Sequence, residues 1–200
     1  AHVASPETYR AHYRKMRGEP CPESDIFTRH NLVKRFRGIR DRILAREGKR
    51  VLELGCLDGW ALLNLAAGGA TGVGVDLSPE ALAVARSRAE KYGFPLRFVE
   101  ADIAEFDARN AWEASVGPHE FDAVILSEVL EHVLDPLACL RTAARHLAPG
   151  GRLYVSVPAA PIPHHGKVED AVLHLRVFAP GELTTIRRIL ARATSRLPKK

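Results

Sequence analysis

Val51-Leu52-Glu53-Leu54-Gly55-Cys56-Leu57-Asp58-Gly59-Trp60 is an apolar run that breaks at two glycines and resumes as a helix-forming stretch. A strand that enters a glycine-bearing turn and leaves as a helix is how α/β folds bring backbone N–H groups against a bound ligand. Asp76 follows Gly55 by 21 residues, at the end of the next apolar run. This is about the ~20-residue offset at which a carboxylate grips ribose hydroxyls. Outward from here the pattern alternates. Apolar runs at 50–55, 72–77, 96–102, 121–127 and 152–157 read as buried parallel strands. Between them lie helical stretches at 60–67, 79–92, a short piece near 112–116, and 136–147. Ser78 caps the second of these, with Pro79 at its first position, Glu80 in its first turn and Gly93 as its stop. Pro149-Gly150-Gly151 separates the fourth helix from the fifth strand. The fold class is therefore α/β, a Rossmann-like, doubly wound and mostly parallel sheet. Residues 1–49 read as one or two helices broken around 18–22, and a final helix runs from about 180 to 196.

Composition fits a single soluble domain of 200 residues, 46% hydrophobic and 26% charged. The uncharged stretch 60–75 contains four glycines and an asparagine and is too short for a membrane span of about 20 apolar residues. No basic start followed by an apolar core suggests a secretory signal. Three cysteines, Cys21, Cys56 and Cys139, lie far apart without a C-x-x-C, which suits a reducing cytoplasm and excludes a disulfide framework or a cysteine-based zinc site. The net charge of +5 is uneven: residues 1–50 carry 13 basic against 6 acidic side chains, residues 51–186 carry 10 against 18, and 187–200 carry 6 and no acid. Basic flanks on an acidic centre admit an anionic partner. Solvated arginine-rich helix faces explain them more economically, because aromatic interleaving is thin.

These motifs resemble the class I S-adenosylmethionine-dependent methyltransferases over about 51–183. Glu53-Leu54-Gly55-Cys56-Leu57-Asp58-Gly59 is similar to their first motif, acid-x-Gly-x-Gly-x-Gly. Val75-Asp76-Leu77-Ser78 resembles the second, whose acid binds the ribose diol, and Ala101-Asp102-Ile103 the third, which faces the adenine. Phe121–Ser127 resembles the fourth strand and Leu147-Ala148-Pro149-Gly150-Gly151 the turn before the fifth. A dinucleotide oxidoreductase is the rival, but the turn is G-x-x-x-G rather than G-x-G-x-x-G, and Glu53 would repel a pyrophosphate while opposing a cation. The resemblance implies a cofactor site built from Glu53, Gly55, Cys56, Asp58, Gly59, Asp76, Leu77, Asp102, Ile103 and Ser127. Leu57 departs from the family by standing at its middle glycine, where a Cβ obstructs the backbone's approach or its dihedral angles. The motif survives if Leu57 turns its side chain away from the ligand.

Ser127-Glu128-Val129-Leu130-Glu131-His132-Val133 begins where the fourth strand reaches the ligand end of the sheet. As a helix it would set Glu128, Glu131 and His132 at i, i+3 and i+4 on one face. Together with His174 before Phe178-Ala179-Pro180-Gly181-Glu182-Leu183, it is similar to the branch holding ubiquinone-pathway O-methyltransferases and small-RNA 2′-O-methyltransferases. That likeness implies Glu128, Glu131, His132 and His174 around a divalent cation (Mg, Mn or Co) that lowers a substrate hydroxyl's pKa. In the plainer reading Glu131-His132 packs and caps the loop without a metal, and His132, with Glu128 nearby, or a later histidine acts as the base. His164-His165 reads as a substrate-side loop.

The expected function is S-adenosylmethionine-dependent O-methylation of a small-molecule hydroxyl, on a sugar, phenol or natural product, in the cytoplasm. The alternatives are a 2′-O-methyltransferase acting on RNA, favoured by the basic flanks, and a non-catalytic cofactor-binding partner subunit, favoured by Leu57. Residues 1–49, with Tyr9 and Tyr13, form the expected lid or substrate segment, and residues 50–200 the S-adenosylmethionine-binding domain. No strand-like run follows Ala179, so five strands are expected, without the family's last two. The bare edge of the fifth would then point to a shortened chain or to cover from a partner subunit, a second copy or the N-terminal helices.

Overall fold

The computed structural model describes residues 21–27, 34–45, 49–106 and 121–157, with positions 7 and 11. Among the described residues five strands, β1 (Arg50–Leu54), β2 (Thr71–Asp76), β3 (Leu96–Glu100), β4 (Phe121–Ser127) and β5 (Leu147–Ser156), form one sheet of order β3-β2-β1-β4-β5. All four strand pairings are parallel, so the doubly wound sheet expected from the alternation is present. Among the described residues it is accompanied by the helices α1 (Lys34–Leu44), α2 (Trp60–Ala66), α3 (Pro79–Lys91) and α4 (Pro136–Arg145).

Two apolar layers sandwich the sheet, and strand parity divides them. Val51, Ala123 and Ile125 point into a cluster with Phe36, Ile39, Ile43, Leu62, Leu65, Leu82 and Ala85. Leu52, Leu54, Val124 and Leu126 point the other way, into a cluster with Cys139, Leu140 and Ala143 of α4. Because both faces are covered, β1 is buried from Val51 to Leu54 and apolar there except at Glu53. Each fully buried Leu or Ile contributes about 1.5–3 kcal/mol relative to an exposed one.

Local signals fix the helix starts. Ser78 Oγ accepts from Ala81 N at 3.2 Å, and Asp135 Oδ1 accepts from Leu137 N and Ala138 N at 2.9 and 3.0 Å, each cap followed by a proline. At the opposite end of the sheet, Asp122 accepts from Arg50 N and Lys49 Nζ, both at 3.0 Å, tying the start of β1 to β4.

One boundary differs from the sequence reading. The stretch 147–151, expected as a turn, is the irregular start of β5: Phe121 pairs with Leu147 and Ala123 with Arg152, so the intervening residues bulge out of register. Gly150 at φ +77° supplies the left-handed bend that the bulge requires. Further strands after β5 would fall within 158–200, outside the described residues, as do the helices expected near 112–116 and 180–196. Among the described residues no helix is long and apolar enough to cross a membrane.

Candidate active site

Strand order reverses between β1 and β4, and in such sheets the crevice at the carboxyl ends of the strands is where ligands sit. The loop after β1 lies at that point. Gly55 N and Cys56 N both donate to Val75 O, at 2.7 and 3.1 Å, and Gly59 N donates to Cys56 O at 2.9 Å. Gly55 and Gly59 sit at φ +82° and +73°. A Cβ on Gly55 would come within 2.6 Å of Val129 Cγ2, and one on Gly59 within 2.9 Å of Ala85 Cβ and Phe98. Both positions demand glycine on backbone and packing grounds.

Leu57 keeps the loop closed without being glycine. Its φ is +47°, its side chain is 36% exposed, and its N–H donates to Asp76 Oδ2 at 2.8 Å. The side chain thus points out of the protein while the backbone holds a left-handed shape that costs a residue with a Cβ about 1–2 kcal/mol. Leu57→Gly relieves that cost against a glycine entropy penalty of about 0.5–1 kcal/mol. The variant is expected to be as stable as the parent or up to about 1.5 kcal/mol more stable by denaturant unfolding. A clear loss of stability would show that the exposed leucine packs to some purpose.

Two carboxylates, Asp76 and Glu53, lie behind this loop, near that of Asp58 within it. Asp76 is buried, with Oδ1 accepting from Ser78 N at 3.0 Å and Oδ2 from Leu57 N. Burial raises its pKa and those amides pull it back. Glu53 is 5% exposed, and its Oε2 has no hydrogen-bond partner among the described residues. Burial first, then the charges of Asp58 and Asp76, push its pKa up to about 8. The Leu62 backbone amide offsets only part of this, and a buried carboxyl with one oxygen unpartnered and like charges nearby is an unmet demand for a cation.

Asp102 Oδ1 accepts from Ala104 N at 3.0 Å just beyond β3. Ile103 is buried in the cluster with Val129, Leu77 is half-buried after Asp76, and Ser127 Oγ meets Ser156 Oγ at 3.0 Å across the ends of β4 and β5. Two expected cofactor residues are directed elsewhere. Cys56 is 3% exposed in the core cluster with Phe98, and burial raises its thiol pKa well above the usual range, so it can offer a ligand only its main chain. The Asp58 carboxylate is taken up by Arg88 and by Cys21 N, neither of which the sequence reading singled out. These contacts span 30 and 37 residues, and no local pattern announces them.

The segment after β4 turns rather than forming a helix. Glu128 sits at φ +55° with its N–H donating to Ser156 O at 2.9 Å, and His132 N donates to Val129 O at 2.9 Å. The expected single face of Glu128, Glu131 and His132 therefore does not form, because a left-handed residue at its start breaks the helical path. Glu131 is 1% exposed, whereas the His132 side chain is 21% exposed, its Nε2 3.9 Å from Glu131 Oε1. Among the described residues no three His, Cys, Asp or Glu are gathered as metal donors. His174, His164, His165, Tyr9 and Tyr13 lie outside the described residues.

A family described as the Methyltransferase domain matches residues 28–193. The chain belongs to the class I S-adenosylmethionine-dependent methyltransferases. Among its relatives is the ubiquinone biosynthesis O-methyltransferase of Aeromonas salmonicida, 34% identical over 154 residues, 77% of this chain and 60% of the relative. The chain thus spans less than two thirds of that relative's length. In fold, this methyltransferase is similar to phosphoethanolamine N-methyltransferase 2 of Haemonchus contortus, solved with S-adenosyl-L-methionine (TM-score 0.67, 20% identity, 96% of this chain and 44% of that one). It is also similar to the Haloferax volcanii putative methyltransferase in its complex with the Trm112 activator (TM-score 0.59, 26% identity, 90% and 77% covered). The family's cofactor carries a sulfonium and an ammonium. The unpartnered oxygen of buried Glu53, beside Asp76, is the chemistry such a ligand requires, so the residues present fit it.

Proposed function

We propose that this methyltransferase transfers a methyl group to a hydroxyl of a small molecule such as a phenol, sugar or natural product. The observation that carries the cofactor half of this reading is the unpartnered Oε2 of the buried Glu53 carboxyl beneath the Gly55–Gly59 loop. Bound S-adenosylmethionine supplies an electrophilic methyl on a sulfonium. Glu53 opposes its positive charge, Asp76 takes ribose hydroxyls, and Asp102 with the Ile103 backbone faces the adenine. Leu57 N and Ser78 N hold the Asp76 carboxylate in one orientation before any ligand arrives. This preorganisation favours alignment of donor and acceptor.

The acceptor half rests on His132, the partly exposed imidazole after β4, as the group that takes the acceptor's proton. Support for a hydroxyl acceptor comes from the 34% identity to a ubiquinone biosynthesis O-methyltransferase. Residues 1–49 would contribute the lid or substrate segment. The deciding experiment incubates the protein with S-adenosylmethionine and panels of catechols, polyols and short RNA, scoring S-adenosylhomocysteine and methylated product. Methylated catechol or polyol is expected. Product on RNA alone, with salt-sensitive RNA binding, would overturn the small-molecule reading.

Asp76→Ala is expected to weaken S-adenosylmethionine binding about 10- to 100-fold, the worth of one charge-assisted hydrogen bond of about 1.5–3 kcal/mol. Unchanged affinity by calorimetry would remove Asp76 from the site.

The divalent cation forms no part of this proposal, because Glu128, Glu131 and His132 do not come together as a donor set. Excess chelator is accordingly expected to leave turnover unchanged. Turnover lost on chelation and restored by Mg²⁺, Mn²⁺ or Co²⁺ would restore the donor set of Glu128, Glu131, His132 and His174.

A further inference from the structure

Asp58 stands inside the cofactor loop, yet its carboxylate is spent on the rest of the fold. Its Oδ2 accepts from Cys21 N at 2.6 Å and from Arg88 Nη1 at 2.7 Å, with side chains only 9% and 11% exposed. Arg88, near the end of α3, turns its Nη2 to Cys21 O. The ion pair thus engages both main-chain polar groups of Cys21, much as a neighbouring strand would. The rest of the segment 21–27 is fastened to the same helix and its neighbour. Glu23 meets Lys91 Nζ and accepts from Tyr92 Oη at 2.8 Å, Phe27 packs edge-on to Tyr92 at 5.0 Å, and Asn64 Nδ2 donates to Ile26 O at 3.1 Å. One residue before Asp58, Leu57 holds its unfavourable left-handed shape.

We propose that Asp58 is a positioning residue: with Arg88 it clamps the loop 55–59 to the segment 21–27, so that docking of that segment and cofactor affinity form one coupled equilibrium. The inference rests on the S-adenosylmethionine reading of the loop and adds to it a device outside the ligand-facing residues. A shape that local sterics oppose must be held from outside. Asp76 holds the Leu57 amide from one side, and the clamp holds the next residue from the other. Linkage makes the effect reciprocal: a ligand that needs the ordered loop must also tighten the segment tied to it.

The test uses the full chain. Asp58→Asn keeps size and an acceptor for Cys21 N but removes the charge facing Arg88. Arg88→Lys keeps the charge but loses the forked reach to Cys21 O. S-Adenosylmethionine affinity is measured by calorimetry well below each melting temperature, and hydrogen exchange of 21–27 and 55–59 is followed with and without cofactor. In the parent, cofactor is expected to slow exchange in both segments. Asp58→Asn should bind about tenfold or more weakly, on the scale of one left-handed residue released, and should lose cofactor-induced protection at 21–27. Arg88→Lys should fall between, and it carries the test if Asp58→Asn does not fold. Parent-like affinity in the folded variants, or weakened affinity with protection at 21–27 intact, overturns the positioning role while leaving the cofactor reading standing. No binding by the parent overturns both.

Discussion

His132→Ala should lower methyl-transfer turnover by about 10²- to 10⁴-fold, the usual contribution of a general base, while leaving S-adenosylmethionine affinity close to the parent's. The split follows from position. The carboxylates assigned to the cofactor lie behind the loop after β1 and at the end of β2, whereas His132 follows β4 on the other side of the switch point. Its side chain is accessible enough to meet an acceptor, and its backbone is fixed by the 2.9 Å bond to Val129 O. Glu131, buried beside it at 3.9 Å, is too far for a hydrogen bond and bears on the imidazole only as a neighbour. Glu131→Gln is therefore expected to slow turnover less than His132→Ala does. Steady-state rates with calorimetric affinities decide the matter: turnover that survives while only the melting temperature falls would make His132 a structural residue.

The sheet and the glycine-bearing loop after β1 were legible because they rest on short-range chemistry. Buried parallel strands read as continuous apolar runs, Ser78-Pro79 announces α3, and Asp76 falls at the end of β2 where its spacing from Gly55 placed it. Leu57 was legible as an exception, and the structure adds how it is tolerated, at φ +47° with the side chain outward. What escaped the sequence depends on contacts between distant residues. The Asp58–Arg88–Cys21 clamp has no spacing rule. The turn at Glu128 replaced a helix because its amide is drawn to Ser156 O, 28 residues on. The start of β5 was hidden by Pro149-Gly150-Gly151, whose turn chemistry serves a bulge inside the strand.

Glu53→Gln should produce opposite changes in stability and binding, both dependent on pH. The carboxyl titrates near 8 in the fold against 4.5 for the ordinary side chain, so the folded protein holds a proton there that the unfolded chain releases. For a group raised in this way, the stabilising contribution is complete below about pH 4.5 and drains away as pH climbs to about 8. Each unit in that window removes about 1.4 kcal/mol, a few kcal/mol in all. Glutamine has no proton to lose. Ligand-free Glu53→Gln should therefore melt higher than the parent at pH 8, with the gain shrinking toward pH 5. Binding runs the other way, because a cationic ligand prefers the ionised carboxylate. The parent should bind S-adenosylmethionine more tightly as pH rises toward 8 and release a proton on binding near neutrality, seen as a dependence of the calorimetric heat on the ionisation enthalpy of the buffer. The variant should bind about tenfold or more weakly at pH 8 and show no such proton release. Parallel melting profiles for parent and variant across pH 5 to 8 would mean that the Glu53 carboxyl is already neutralised in the fold, and the cation-binding role would fall with it.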